Sequence, residues 1–220
     1  ARSNLPDWIA ARWAQTYGEP TLEAIALAVR EEPPTDLSLK PGVDAASLAD
    51  ALEGRVLPGG TVRTGSRGDV AAWPGYEAGD WWVQDAAAAV PVRLLAPRAG
   101  ETVLDLCAAP GGKTLQIAAS GATVTALDRS EPRLKRLRQN LDRTALPAEV
   151  VVANGEDWED PRTFDAVLLD APCTATGTLR RNPEVLRATR PADVAKLADV
   201  QHRLLDAAAL RVKPGGRLVY

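Results

Sequence analysis

Residues 105–114 read Asp105-Leu106-Cys107-Ala108-Ala109-Pro110-Gly111-Gly112-Lys113-Thr114. An apolar run, Thr102–Leu106, enters this stretch, and a helical pattern, Lys113–Ala119, leaves it. The order is therefore strand, small-residue turn, helix. A phosphate-binding loop ending in Gly-Lys-Thr needs glycine where Cys107 stands. A dinucleotide fingerprint needs three spaced glycines, and here there is only the adjacent pair Gly111-Gly112. Neither motif fits. What remains is a turn whose small side chains let a bulky ligand approach the backbone. A plain tight β-α turn accounts for the glycines, but not for acid, small residues and glycine pair together.

Outward from this turn the pattern alternates. Thr123–Asp128, Glu149–Ala153 and Phe164–Asp170 read as strands, and a further strand starts at Arg217. Asp85–Leu95 (interrupted by Pro91), Glu131–Thr144 and Ala192–Arg211 read as helices. Such alternation predicts a mostly parallel sheet covered on both faces. Its ligands belong at the carboxyl ends of the strands, where strand order reverses. The loops after Leu106, Asp128, Ala153 and Asp170 are then the ones that carry chemistry. Before residue 78 the pattern differs. Pro6–Tyr17 and Thr21–Glu32 are predicted helices, the second stopped by Pro33-Pro34. Leu37–Lys40 and Thr61–Thr64 are predicted strands, and Asp44 caps a helix to Glu53. The chain is thus expected to divide into a small α+β module, 1–78, and an α/β domain, 79–220.

The chain has 220 residues, 45% hydrophobic and 25% charged, which excludes collagenous and largely disordered classes. No apolar run reaches the ~20 residues of a membrane helix. Two cysteines make no disulfide framework and point to a reducing, cytoplasmic compartment. There is no Met, and the chain starts at Ala1, which suggests a fragment. The net charge of −3 hides an asymmetry: residues 1–90 hold 7 Lys/Arg and 13 Asp/Glu, and residues 91–220 hold 19 and 16. Arg129, Arg133, Lys135, Arg136, Arg138 and Arg143 form one basic cluster, equally readable as a solvated helix face. Arg180, Arg181, Arg187 and Arg190 form another, where phosphate contact is the favoured role. No Cys/His cluster suggests a metal, and His202 is a lone histidine with a structural or exposed place.

Asp128 ends the second strand, 23 residues after Asp105 (128 − 105). A carboxylate there suits a ribose diol, and it also suits the cap of the helix at Glu131. Asn154 is a turn residue, or an amide facing an adenine edge. Asp170-Ala171-Pro172-Cys173 follows a strand end and precedes Arg180-Arg181-Asn182-Pro183-Glu184. Trp81-Trp82 reads as core packing rather than a stacking platform.

Taken together, DLCAAPGGKT and LLDAPCTATGTLRRNPE resemble the Sun/RsmB-like RNA cytosine-C5 methyltransferases. Leu5–Gly18, Val83-Gln84-Asp85-Ala86, Gln201 and Lys213–Tyr220 extend the resemblance over nearly the whole chain. The resemblance implies a Rossmann-like class I methyltransferase sheet, an RNA-binding-type module at 1–78, and S-adenosylmethionine as cofactor; a monomer is expected. Cys107, Ala108, Ala109, Pro110, Gly111, Gly112 and Lys113 would wrap its methionine end. Asp128 would bind the ribose, Asn154 the adenine, and Asp170 would sit by the methyl group. Arg133 matches a position near the cofactor, with a helix-face salt bridge as its alternative. Asn154 departs from the family's usual Asp, which implies weaker binding. Asp170, Cys173 and Lys113 would be catalytic, with Cys173 assisting turnover. Lys113 would lie near Asp170 and the base, with a surface lysine as its alternative. Arg180 and Arg181 would meet RNA, ribosomal RNA first and tRNA second. The family's nucleophile stands in a Thr-Cys pair after the Gly-Gly…Val-Tyr strand, and these 220 residues stop at Tyr220. The expectation is a chain cut short of that pair and unable to methylate by itself.

Overall fold

The computed structural model describes residues 4–220. In chain order the elements are α1 (Asp7–Tyr17), α2 (Glu19–Ala28), β1 (Thr35–Leu39), α3 (Ala45–Ala51), β2 (Arg55–Val56), β3 (Val62–Thr64) and β4 (Trp81–Val83). There follow α4 (Val90–Leu95), β5 (Thr102–Leu106), α5 (Gly112–Ala118), β6 (Thr123–Asp128), α6 (Glu131–Thr144) and β7 (Glu149–Val152). Last come β8 (Phe164–Leu169), α7 (Val185–Ala188), α8 (Pro191–Ala209) and β9 (Val212–Val219). By packing, these form two compact units: residues 4–33 with Pro172–His202, and Pro34–Ala171 with Arg203–Tyr220.

The smaller unit is helical. α1 and α2 meet at Gly18, whose φ of 82° turns the chain between them. Their apolar stripes bury Ile9, Ala10, Leu22 and Ala26 against Leu179 and Leu186. The short helix α7 carries Leu186 into that core. α8 gives this unit its residues up to His202.

The larger unit holds two sheets. The small antiparallel sheet has the order β2-β3-β1-β4, and the parallel sheet the order β7-β6-β5-β8-β9. Position 78 falls within this unit, and β4, which follows it, pairs with β1 through Leu37↔Val83 and Leu39↔Trp81. Trp81 and Trp82 are both buried, as core residues. Asp36, in β1 of the same sheet, is wholly buried and held by a two-pronged Arg63 pair at 2.7 and 2.9 Å.

The parallel sheet explains where ligands go. The chain moves from β5 outward to β6 and β7, then returns to place β8 on the other side of β5. The crevice between the β5 and β8 ends is the switch point of a doubly wound sheet. Both faces are covered, so the strands read as nearly continuous apolar runs: Val103, Leu104, Leu106, Ala126, Leu127 and Ala166–Leu169 are buried.

Three expectations change. Pro91 does not interrupt a helix running from Asp85; it sits in the first turn of α4, where its missing N–H costs nothing. β9 begins at Val212, not Arg217, and runs through Pro214-Gly215-Gly216 with an irregularity against β8. An edge strand accommodates this, because a proline there need not donate inward. α2 begins at Glu19 and ends at Ala28, before Pro33-Pro34 is reached.

Candidate functional site

The turn after β5 is shaped by backbone positions that few residues tolerate. Cys107 has φ 63° and Gly111 has φ 107°. A Cβ added at Gly111 would overlap Leu137 of α6, so glycine is required there on two counts. The Ala109-Pro110 peptide is cis. Ala108 and Ala109 are buried against Leu115, Leu134 and Leu137. Behind α5, Gln84 accepts from the Trp82 indole at 2.9 Å and donates to Gln116 at 3.0 Å. Gly112 packs on that glutamine. The turn is therefore fixed from below by apolar packing and from behind by an amide chain.

Asp128, at the end of β6, reaches back to the same turn. Its Oδ2 accepts from the Ala109 N–H at 3.1 Å, and its Oδ1 accepts from the Ser130 N–H at 2.9 Å. The carboxylate thus links the first and second loops and steadies the start of α6. Arg133 closes the arrangement from α6: one nitrogen lies 3.5 Å from Asp128 Oδ2 and another donates to the Ala109 carbonyl. Of the basic cluster on this helix, Arg138 pairs with Glu131 at 2.7 Å. Arg143 turns inward, donating to the Tyr76 and Trp81 carbonyls at 2.8 and 2.9 Å and stacking 4.1 Å over the Tyr76 ring. It is a structural tie between helix and small sheet, while Arg129, Arg133, Lys135 and Arg136 are the exposed cations of that stretch.

Asp105 is the group whose setting the motif did not disclose. It is wholly buried. Its Oδ2 accepts from the Thr114 hydroxyl at 2.6 Å, and its Oδ1 has no partner. Burial pushes its pKa up to about 7, against the opposing pull of Thr114 and Lys113. The one signal in the sequence was an acid inside an apolar strand that a parallel sheet buries on both faces. Asp170 and Asp128 also act on it, so three carboxylates converge on the turn. Burial and the same carboxylates push the Cys107 thiol up to about 12. Cys107 is a protonated lining residue, not a thiolate.

Lys113 and Asp170 meet across the crevice: Nζ lies 2.8 Å from Oδ2. The lysine side chain is 17% exposed and the aspartate 55%, so the pair faces solvent from the aspartate side. The Asp170 N–H donates to the Leu106 carbonyl at 3.2 Å, tying the β8 end to the β5 end. Asn154, past β7, is exposed; its side-chain oxygen faces the Glu156 N–H at 3.5 Å and its carbonyl accepts from Asp157. Gly155 beside it packs on Leu106, Leu127 and Leu204, near enough that a side chain there would crowd the sheet.

The structure thus brings residues 107–113, Asp128, Arg133 and Asp170 around one crevice. Cys173, Arg180 and Arg181 lie in the smaller unit. There Cys173 is exposed, and its sulfur accepts from the Ala175 N–H at 3.3 Å. Arg180 is exposed and donates to the Glu31 carbonyl at 3.5 Å. Gln201 donates to the Pro172 carbonyl at 2.8 Å, which fixes the backbone just before Cys173. Among the described residues no group of His, Cys, Asp and Glu is arranged to hold a metal, and no helix is long and apolar enough to cross a membrane.

The comparisons with known proteins agree with this architecture. A family model described as 16S rRNA methyltransferase RsmB/F matches residues 92–220. The chain is 41% identical to the ribosomal RNA small subunit methyltransferase B of Citrobacter koseri, over 100% of this chain and 54% of that protein. It is 47% identical to the protein of the same name from Vibrio cholerae, over 69% of this chain and 36% of that one. At its fullest the chain spans about half the length of the curated relatives it matches. Among solved structures, a methyltransferase homolog protein from Pyrococcus horikoshii superposes with a TM-score of 0.83 at 28% identity, over 98% of this chain and 72% of that one. NSun6 from Pyrococcus horikoshii, solved with SFG, has a TM-score of 0.83 at 16% identity, over 97% of this chain and 82% of that one, and attests the fold.

Proposed function

The chain belongs to the 16S rRNA methyltransferase RsmB/F family, and from that premise we propose that it serves transfer of a methyl group from S-adenosylmethionine to C5 of a cytosine in ribosomal RNA, in the cytoplasm. The observation that carries the reading is the crevice between β5 and β8. There a rigid small-residue turn, three converging carboxylates and the Lys113–Asp170 pair share one strand-end face. The residues fit the cofactor. Asp105 leaves a bare carboxylate oxygen for a cationic group, and Gly111, at φ 107° and closed on by Leu137, lets the turn lie tight against α6. Residues 107–113 would hold the methionine end, with Lys113 at the far end of the turn. Asp128, steadied by Arg133, would take the ribose hydroxyls, and Asn154 would take the adenine. When bound, the cofactor supplies an electrophilic methyl group on a sulfonium.

Cytosine C5 is a poor nucleophile until a thiolate adds at C6. An acid near N3 must then hold the charge that develops, and Asp170 is assigned that task with Lys113 beside it. Cys173 is assigned to assist turnover, where the C5 proton leaves and the thiol is eliminated. The two thiols among these residues are Cys107 and Cys173. Cys107 lies in the cofactor loop and Cys173 is assigned to turnover, so neither is assigned as the attacking group. A polypeptide of these 220 residues is accordingly expected to bind cofactor and RNA without stable methyl incorporation. Transfer to tRNA is the alternative substrate reading.

Calorimetry tests the premise. S-adenosylmethionine or its demethylated product should bind, and binding of NAD in their place would overturn the assignment. Robust labelling of RNA by the 220-residue chain would show that Cys107 or Cys173 is the nucleophile. In the complete enzyme, Cys173→Ala should slow turnover or trap a covalent RNA adduct. Unchanged turnover without adduct would remove its assisting role.

A further inference from the structure

We propose that a second cleft in the larger unit, between the small sheet and the far end of α5, binds a phosphate group, its source being the backbone of the RNA; that source rests on the reading above. The cleft encloses about 350 Å³, and its polar lining includes Ser38, Lys40, Thr61, Arg93, Gln116 and Ser120. No carboxylate lines it. That runs against the local composition, since residues 1–90 carry 7 Lys/Arg against 13 Asp/Glu.

The cation in this cleft is built rather than incidental. Arg93 donates from Nη2 to the Thr61 hydroxyl at 2.8 Å and reaches the Pro58 carbonyl from Nη1 at 3.5 Å. Thr61 is itself 1% exposed, so the anchor is fixed. The guanidinium lies over Gly59, where an added Cβ would overlap it, and Gly59 and Gly60 both have positive φ. The glycine turn thus makes room for the guanidinium, and Thr61 fixes its direction. Arg93 forms no ion pair in the described structure, and neither does Lys40, which lines the same space. Ser38 is buried and lines the cleft. An oriented guanidinium, an ammonium and a hydroxyl with no anion among them match the donor set of a phosphate. The cleft meets α5 at Gln116 and at Ala119 and Ser120 just past its end, away from Gly111-Gly112, so its occupant leaves the cofactor crevice free.

The test uses two probes on the whole chain: a structured RNA hairpin and inorganic pyrophosphate. Lys40→Gln breaks no side-chain bond, and Arg93→Gln is run beside it with a urea midpoint to register folding. Each should weaken hairpin binding about 3- to 10-fold and lower the slope of log K against log salt by about 0.7–0.9. Cofactor affinity by calorimetry should stay within about twofold. Nuclear magnetic resonance should show the Trp82 indole and Lys40 amide signals moving with either probe in the parent chain. Movement with pyrophosphate but not with RNA would keep a phosphate site and overturn the RNA source. Signals unmoved by both probes, or Lys40→Gln with parental affinity and salt slope, would overturn the site. Failure of the cofactor to bind is read separately by calorimetry and speaks only to the proposed methyl transfer.

Discussion

β5 and β8 are parallel neighbours, and an aspartate stands at the carboxyl end of each. Their surroundings are opposite. Asp105 is wholly buried, with one oxygen on Thr114 and the other on nothing. Asp170 is 55% exposed and paired with Lys113 at 2.8 Å. A carboxyl shut away from water keeps its proton to higher pH, while an exposed one beside a lysine stays open to solvent. The proposed roles divide accordingly, the buried acid toward a cofactor and the exposed one toward a base, though the sequence presents them as equivalent strand-end aspartates.

The sharpest way to break this contrast is to neutralise each in turn. Asp170→Asn, in the complete enzyme, should lower single-turnover methyl transfer about 10³-fold, the scale of a lost charge-stabilising acid. Its urea midpoint should hardly move, because the group is half in solvent. Retained methyl transfer would mean that the acting acid lies elsewhere. Asp105→Asn should do the reverse. The folded pKa of Asp105, about 7, stands above its unfolded value of about 3.9. Between those values the folded chain binds more protons than the unfolded one. Stability from this group is therefore fully present below about pH 4, falls as pH rises, and is gone above about pH 7. The total is on the order of a few kcal/mol for so buried a group. Asp105→Asn should abolish that slope, leave the variant the more stable of the two at pH 8, and weaken cofactor binding about 10- to 100-fold. Denaturation across pH 4–8 with parallel calorimetry checks both parts, and an unchanged slope would assign the titration to another group.

Much of this geometry was legible because it is local. Thr102–Leu106, Thr123–Asp128 and Glu131–Thr144 are strand, strand and helix at the expected bounds, since apolar runs and heptad-like stripes report them directly. β2 spans two residues, too few for any period to register. Pro214-Gly215-Gly216 reads as a break, yet β9 runs through it as an irregular stretch, with pairing to β8 on either side at Val212 and Arg217. Of the site, the turn and its strand-end acids follow from spacing. The inward turn of Arg143 does not: Tyr76 lies 67 residues away, and no local pattern encodes that contact. Nor does the orphaned oxygen of Asp105, which depends on how α5 lays Thr114 over β5.

The smallest expected effect bears on the Lys113–Asp170 pair itself. Its nitrogen and oxygen are 2.8 Å apart, but the aspartate is 55% exposed, so water and salt screen the attraction. Exposed pairs of this kind contribute about 0–1 kcal/mol. Lys113→Gln should therefore shift the urea midpoint by less than about 1 kcal/mol equivalent, and less still at high salt. Glutamine can still donate to Asp170, so the loop should keep its path, and what is lost is the charge beside that carboxylate. Methyl transfer in the complete enzyme should fall while the fold holds. A loss of more than about 2 kcal/mol, insensitive to salt, would make the pair a structural staple. The β8 end would then resemble the β5 end, and the division of labour between the two aspartates would not stand.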